Sequence, residues 1–175
     1  MMRRTAVNRF LGGMLLAWAG TTAMAAGEKY YVNVQLAVAD IDEVNDSGIG
    51  VIGTLGVPVP DVSPYFALEG ELGFSLVDPS QTVLGTEIDV SYTAFGAYAA
   101  LNYPLDETLS VRGRMGLVRV DFDANAGSFK ASDADMELAF GGGVSYKLDE
   151  RMAITGEITV IDDLSHLGGG VRWNF

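Results

Sequence analysis

From Tyr30 to the last residue, apolar positions alternate with polar or small ones through eight successive runs. In the first run Tyr30, Val32, Val34, Leu36 and Val38 share one parity, and Tyr31, Asn33, Gln35, Ala37 and Ala39 share the other. A period of two places these sets on opposite faces of a β-strand. Ile49, Val51, Leu55 and Val57 make the second run, and Phe66, Leu68, Leu72 and Phe74 the third, set against Glu69 and Glu71. The fourth sets Ile88, Val90, Tyr92, Ala94 and Tyr98 against Asp89, Ser91 and Thr93. Leu109, Val111, Met115 and Leu117 oppose Ser110, Arg112 and Arg114 in the fifth. In the sixth, Met136, Leu138, Phe140, Val144 and Tyr146 oppose Glu137, Ser145 and Lys147. The seventh sets Met152, Ile154, Ile158 and Val160 against Thr155, Glu157 and Thr159. The last places Leu167, Val171, Trp173 and Phe175 opposite His166, Arg172 and Asn174.

All five prolines fall between the runs, where no ladder N–H is lost. The connections differ in kind: 40–47, 76–86, 121–133 and 162–165 are acidic or polar, whereas those around 58–63, 104–108 and 148–150 are tighter. Two unlike ends follow from that alternation.

The polar parity carries Glu69, Glu71, Glu137 and Glu157 with Arg112, Arg114, Lys147 and Arg172, separated by small residues. Matched charges among small side chains suit the narrow lumen of a barrel whose outer wall is apolar. On the apolar parity, Tyr30, Phe66, Tyr98, Tyr103, Tyr146, Trp173 and Phe175 gather near one end of their strands, the layout of an interfacial aromatic girdle. A soluble barrel would leave those aromatic rows in water. The expected fold is therefore all-β, an eight-stranded antiparallel up-and-down transmembrane β-barrel, closed so that no strand edge meets lipid. Arg119 falls on the lipid parity of the fifth strand, which marks either a bulge or a side chain snorkelling at the outer rim.

Residues 1–25 belong to another device. Arg3, Arg4 and Arg9 precede an apolar stretch from Phe10 to Gly20 and the small-residue site Ala23-Met24-Ala25, the plan of a secretory signal peptide. The stretch is shorter than the ~20 residues of a spanning helix, so 26–175 is read as the barrel domain.

Composition narrows the chemistry. A net charge of −12 argues against nucleic acid as a partner. The absence of cysteine excludes disulfides, thiolate metal sites and thiol nucleophiles, and a single histidine leaves little for metal or triad chemistry. No metal and no cofactor is expected. Gly48-Ile49-Gly50-Val51-Ile52-Gly53 spells the dinucleotide fingerprint, but Pro58 and Pro60 exclude the crossover helix it needs, so it reads as strand two. Gly141-Gly142-Gly143 and Gly168-Gly169-Gly170 sit within strands, where missing side chains relieve a crowded lumen.

The signal segment, the eight runs, the turns Tyr103-Pro104-Leu105-Asp106 and Lys147-Leu148-Asp149-Glu150, and the ending Gly170-Val171-Arg172-Trp173-Asn174-Phe175 together look like a known group. The chain resembles the small outer membrane β-barrel family, which includes OmpA-like transmembrane domains, OmpX and opacity-type barrels. That resemblance implies a bacterial outer membrane location, periplasmic termini, and contact with outer membrane lipid and lipopolysaccharide. It also implies recognition of Trp173 and Phe175 by the outer membrane assembly machinery, and a non-enzymatic role in envelope integrity or surface interaction. A monomer is expected.

Strand counting puts Arg114, Glu157 and Glu71 at similar depth, with Arg112, Glu69 and Arg172 nearer the tight-turn end. Such a layer reads as a plug, with a small-solute porin-like channel as the alternative. A lipid A-modifying enzyme is the second alternative and would rest on Ser165 and His166, adjacent residues whose side chains leave a strand on opposite faces. The acidic residues Asp40, Asp42, Glu43, Asp46, Asp121, Asp123, Asp133, Asp162 and Asp163 read as a solvated rim rather than a calcium site, since the first group lacks the glycine and closing glutamate of an EF-hand loop.

Overall fold

A computed structural model describes residues 30–41, 47–78, 80–83, 86–126, 129–162 and 164–175. The signal segment, Asp42, Glu43, Asp46 and Asp163 lie outside the described residues. Among the described residues nine strands are formed: β1 Tyr31–Ile41, β2 Gly48–Pro58, β3 Phe66–Val77, β4 Ser80–Val83, β5 Thr86–Pro104, β6 Leu109–Ala126, β7 Phe129–Lys147, β8 Met152–Ile161 and β9 Leu164–Asn174. Every pairing is antiparallel between neighbours, β1 pairs with β9, and both β3 and β4 lie along β5. The result is a closed barrel of eight staves, one of them broken.

At the break, between the last β3 pair, Phe74 with Thr93, and the first β4 pair, Ser80 with Asp89, residues 90–92 of β5 have no ladder partner on that side among the described residues. Ser75 patches the gap: its hydroxyl accepts the Tyr92 N–H at 3.2 Å and donates to Asp78 at 2.6 Å.

Strand register sets the cylinder. Tracing Cα partners from Leu164 through Ile161, Ala139, Gly116, Tyr98, Glu69 and Gly56 reaches β1 at Tyr31, yet Leu164 itself pairs with Ile41. Tyr31 and Ile41 lie ten residues apart on one strand, and that offset is the shear of the barrel. In an eight-stranded barrel such a shear tilts the strands by about 40° and leaves an interior only wide enough for side chains.

The apolar parity forms the outer wall. Val34, Leu36, Val38, Leu68, Met115, Leu117, Leu138, Phe140, Ile154, Ile158 and Leu167 are all exposed, while Asn33, Gln35, Glu69, Arg112, Arg114, Thr155, Glu157 and Arg172 are buried. Polar side chains inside and aliphatic ones outside invert the arrangement of a water-soluble barrel.

The fourth run departs from expectation. Tyr92, Ala94 and Tyr98 point inward and are buried, while Phe95, Leu101 and Tyr103 on the other parity are exposed. Tyr98 therefore does not belong to the girdle. Its ring lies against Gly116, where an added Cβ would fall 2.7 Å from the ring and 2.9 Å from the Tyr98 Cα. Tyr31 lies over Gly56 in the same way, so these glycines make room for lumen rings.

The two ends also differ more than the sequence suggests. β6 and β7 stay paired as far as Ala126 with Phe129, and β4 and β5 as far as Val83 with Thr86, so most of 76–86 and 121–133 is strand. β8 leaves β7 at Ala139. Strands β4 to β7 thus continue as a sheet beyond the level where β8 and β9 turn back. Polar sequence does not end a ladder above the lipid, because water tolerates either face of an antiparallel ribbon. The turn from β8 to β9 takes Asp162 to a φ of 39°, a left-handed conformation that aspartate tolerates.

At the opposite end two turns repeat one device, Leu105-Asp106-Glu107-Thr108 and Leu148-Asp149-Glu150-Arg151. Asp106 Oδ1 accepts the N–H groups of Thr108 at 2.7 Å and Leu109 at 2.8 Å, and Asp149 Oδ1 those of Arg151 at 2.7 Å and Met152 at 2.8 Å. The Thr108 N–H, followed by that of Leu109, holds the Asp106 carboxyl below its ordinary pKa. A lowered folded-state value means that the turn's contribution is present above the ordinary carboxylate range and lost as pH falls through the lowered value. Asp106→Ala is expected to lower the protection of the Thr108 and Leu109 amides at neutral pH, and the native turn to fall to the same protection in acid; exchange rates read by NMR, each divided by the intrinsic rate at that pH, check both.

Candidate functional site

The lumen is the candidate site, and it is built in two tiers. Nearer the short turns, β3 supplies Glu69 and Glu71, β6 supplies Arg112 and Arg114, and β8 supplies Glu157. Each pair is spaced by two residues, so alternation brings both members to the inner face. Arg112 reaches Glu69 Oε2 at 2.6 Å and Glu157 Oε2 at 3.0 Å. Arg114 is ion-paired to Glu71 and reaches Glu157 Oε1 at 2.7 Å, with Glu69 at 3.8 Å. The Arg114 side chain also donates to Thr159 Oγ1 at 2.7 Å and lies 4.1 Å from the centre of the Tyr98 ring. Tyr98 donates to Glu71 at 3.1 Å, and the Tyr31 hydroxyl donates to Glu69. Charged groups deprived of water are costly unless fully partnered, and these carboxylates receive both guanidinium and hydroxyl donors.

Above this tier, away from the short turns, the interior becomes apolar. Ala39, Tyr92, Ala94, Tyr98, Val118, Val120, Ala139, Ile161 and Leu164 form one buried cluster. Val120 and Ala39 are fully excluded from solvent. His166 borders the cluster with its Nε2 3.0 Å from the Tyr92 hydroxyl. Parity reasoning missed this tier because it assigns every apolar side chain to lipid. The outward Arg119 between Val118 and Val120 was its signal, since a charge on the lipid parity places both valines inside.

The expected network is not assembled in full. Glu69, Glu71, Arg112, Arg114 and Glu157 come together, and Arg172 lies buried beside them. Lys147 does not join: it occupies the last position of β7, at the short-turn mouth, and is exposed. Glu137 is half-buried and pairs in register with Val118, at the level of the apolar tier rather than the ionic one.

Tyr30, Phe66, Tyr103, Tyr146, Trp173 and Phe175 all stand at the short-turn end of the wall. Tyr30 stacks on Phe175 with ring centres 4.8 Å apart, and Tyr65, which the sequence reading passed over, packs edge-on against Tyr103 at 5.1 Å. Arg119 is exposed and ion-paired to Asp121 at 3.0 Å, with no register shift in β6 to make it a bulge. His166 faces the lumen and Ser165 the opposite side, so the two do not converge on one substrate position. No group of three metal-ligating side chains exists among the described residues.

A family model described as outer membrane protein beta-barrel domain matches residues 12–174. None of the curated proteins matches. Among solved structures, Neisserial surface protein A superposes with a TM-score of 0.65 at 14% identity, covering 86% of this chain and 98% of that one. The outer membrane protein OprG from Pseudomonas aeruginosa gives 0.64 at 13% identity, with 85% and 96% covered. Ail, the attachment invasion locus protein of Yersinia pestis, gives 0.56 at 15% identity, with 85% and 97% covered. At these identities the similarity concerns the fold.

Proposed function

The chain belongs to the outer membrane protein β-barrel domain family and resides in the bacterial outer membrane, and from that premise we propose that it is a non-conducting, non-enzymatic barrel that serves the envelope through its wall and outer face. The observation that carries this reading is the doubly filled lumen. Ions entering from the short-turn side meet the ion pairs that Arg112 and Arg114 make with Glu69, Glu71 and Glu157, and behind them a buried, largely apolar cluster. A hydrophobic constriction resists wetting even where it is wide enough for water. Two barriers of opposite chemistry in series oppose the passage of a solute.

With the interior closed, the parts left to act are the surfaces. The outer wall contacts lipid and lipopolysaccharide, and Trp173 and Phe175 serve recognition by the assembly machinery. The sheet formed by β4 to β7 beyond the rim is suited to contacts with other surfaces. Among the described residues, no strand lies beside β7 on its β8 side from Phe129 to Leu138. Such an edge offers backbone donors and acceptors to an extended segment. Ail has been captured with a heparin analogue; the net charge of −12 disfavours a polyanion here and favours basic partners.

Planar-bilayer recording of the refolded protein tests the central claim. The expected record is a flat baseline at moderate voltage. A large, steady, ohmic conductance from the unaltered protein would overturn the reading and restore the small-solute channel.

A further inference from the structure

The ionic tier is electrically balanced only while its carboxylates are ionised. Glu69, Glu71 and Glu157 stand against Arg112, Arg114 and Arg172, three of each sign on the inner face. A guanidinium keeps its proton at any ordinary pH, so acid moves this balance one way. Each glutamate that takes up a proton leaves an arginine short of its partner, and a buried charge without a partner is costly.

The upper tier meets acid through His166, the one histidine of the chain, only 3% exposed. It lies in register between Ala39 of β1 and Thr159 of β8. Thr159 Oγ1 accepts from Arg114, so the imidazole stands where the apolar cluster meets the ionic tier. Its Nε2 is 3.0 Å from the Tyr92 hydroxyl, and its Nδ1 has no hydrogen-bond partner among the described residues. Tyr92 and Tyr98 of β5, Glu157 of β8 and the half-buried Glu137 of β7 are the other titratable groups on the staves around it. Below it lie Glu69 and Glu71 of β3, Arg112 and Arg114 of β6, and Arg172 on its own strand. β1 and β2 bring only the uncharged Asn33, Gln35 and Thr54 inward, and Asp40 is exposed. An imidazolium donates from both nitrogens, so a charged His166 needs an acceptor at Nδ1, and water drawn to it would enter a cluster that otherwise excludes it.

We propose that the lumen is an acid-operated gate, shut at neutral pH and opened by joint protonation of His166 and the glutamates of the ionic tier into a narrow passage for small anions. This rests on the reading of the lumen as closed at neutral pH. In acid the inner face carries Arg112, Arg114, Arg172 and the imidazolium, four positive groups whose carboxylate partners are neutral. Their repulsion favours arginines that reach out to the short-turn mouth, where a long side chain can keep its head in water. Arg112 lies three residues after the start of β6 and Arg172 two before the end of β9, so both are within reach of that mouth. The wall keeps its register throughout; only side chains move. A passage ringed by cations passes anions and rejects cations.

Planar-bilayer recording of the refolded protein at pH ~7 and at pH ~4, where ordinary carboxyl groups lose their charge, tests the gate. The unaltered protein is expected to be silent at the first, to open in discrete steps at the second, and to fall silent again on neutralisation. In a salt gradient the reversal potential of the open state is expected to show anion preference. His166→Gln is expected to lose the opening at the pH where the unaltered protein is open. Silence in acid, while unheated gel migration shows the barrel still closed, overturns the gate and leaves the neutral-pH reading standing. Steady conductance already at neutral pH overturns that reading and the gate with it. Opening of His166→Gln at the same pH as the unaltered protein also overturns the gate. Should that variant fail to fold, selectivity decides: an open state that prefers cations overturns the proposal.

Discussion

Replacing Arg114 with methionine is expected to lower folding stability by about 3–5 kcal/mol, the usual cost of stranding a buried charge by removing its partner. The guanidinium is the hub of the ionic tier: it holds Glu71 and Glu157, faces Glu69 at 3.8 Å, donates to Thr159 and lies against Tyr98. Methionine keeps much of the length and volume, so the loss reports charge rather than a cavity. The midpoint of urea unfolding in vesicles measures it. Adding Glu71→Gln to Arg114→Met is expected to recover part of the loss, because one stranded carboxylate is then gone and the two changes are not additive. Arg119→Met serves as the contrast and should leave the midpoint in place, since both members of its pair with Asp121 are exposed. A midpoint for Arg114→Met equal to that of the wild type would show that the tier does not hold the barrel together.

Gly170→Val is expected to prevent closure altogether. Gly170 pairs with Gln35 across the seam where the last strand meets the first. A Cβ there would overlap the Val34 carbonyl oxygen and stand 2.7 Å from the Gln35 Cα. Those are backbone atoms of the ladder and cannot swing aside as a flexible side chain can. The readout is the shift in gel migration between unheated and boiled samples, which a closed barrel shows and an open chain does not. Gly113→Val is the matched control, because an added Cβ at that outward glycine meets nothing within 4 Å. Wild-type migration by Gly170→Val would sink the prediction.

The architecture was legible wherever charge marked one parity. Glu69 and Glu71, Arg112 and Arg114, and Glu157 label the inner face of β3, β6 and β8 without ambiguity, and alternation then places the rest of each strand. β5 carries no charged residue from Val90 to Pro104 and offers aromatics on both faces, Tyr92 and Tyr98 on one and Phe95 and Tyr103 on the other. Tyrosine suits either environment, since its ring tolerates lipid and its hydroxyl can serve a buried carboxylate, as Tyr98 serves Glu71. One clue was available: Tyr98 and Tyr103 are five residues apart, an odd spacing that cannot put both in one girdle. Lys147 misled for a different reason. Parity fixes the face but not the depth, and at the last position of a strand the inner face opens to water.

The long outer halves of β5, β6 and β7 were hidden because their sequences are acidic and polar, and a ribbon in water needs no apolar face to report it. The apolar tier was hidden by the rule that made the wall readable. Val118, Val120, Ile161 and Leu164 have the composition of lipid-facing residues, and only their register relative to Arg119, Glu157 and His166 reveals them as interior.

The ten-residue offset around the wall has a consequence for how this sequence can change. With strand number and stagger fixed, the bore is set by backbone geometry and cannot dilate to admit a bulkier occupant. Interior substitutions must therefore trade volume across the axis: a ring gained on one stave requires a residue reduced to hydrogen on another, as Tyr31 requires Gly56. Variants selected for retained folding should show compensating pairs of this kind inside the cylinder, while the lipid-facing wall drifts freely among aliphatic residues.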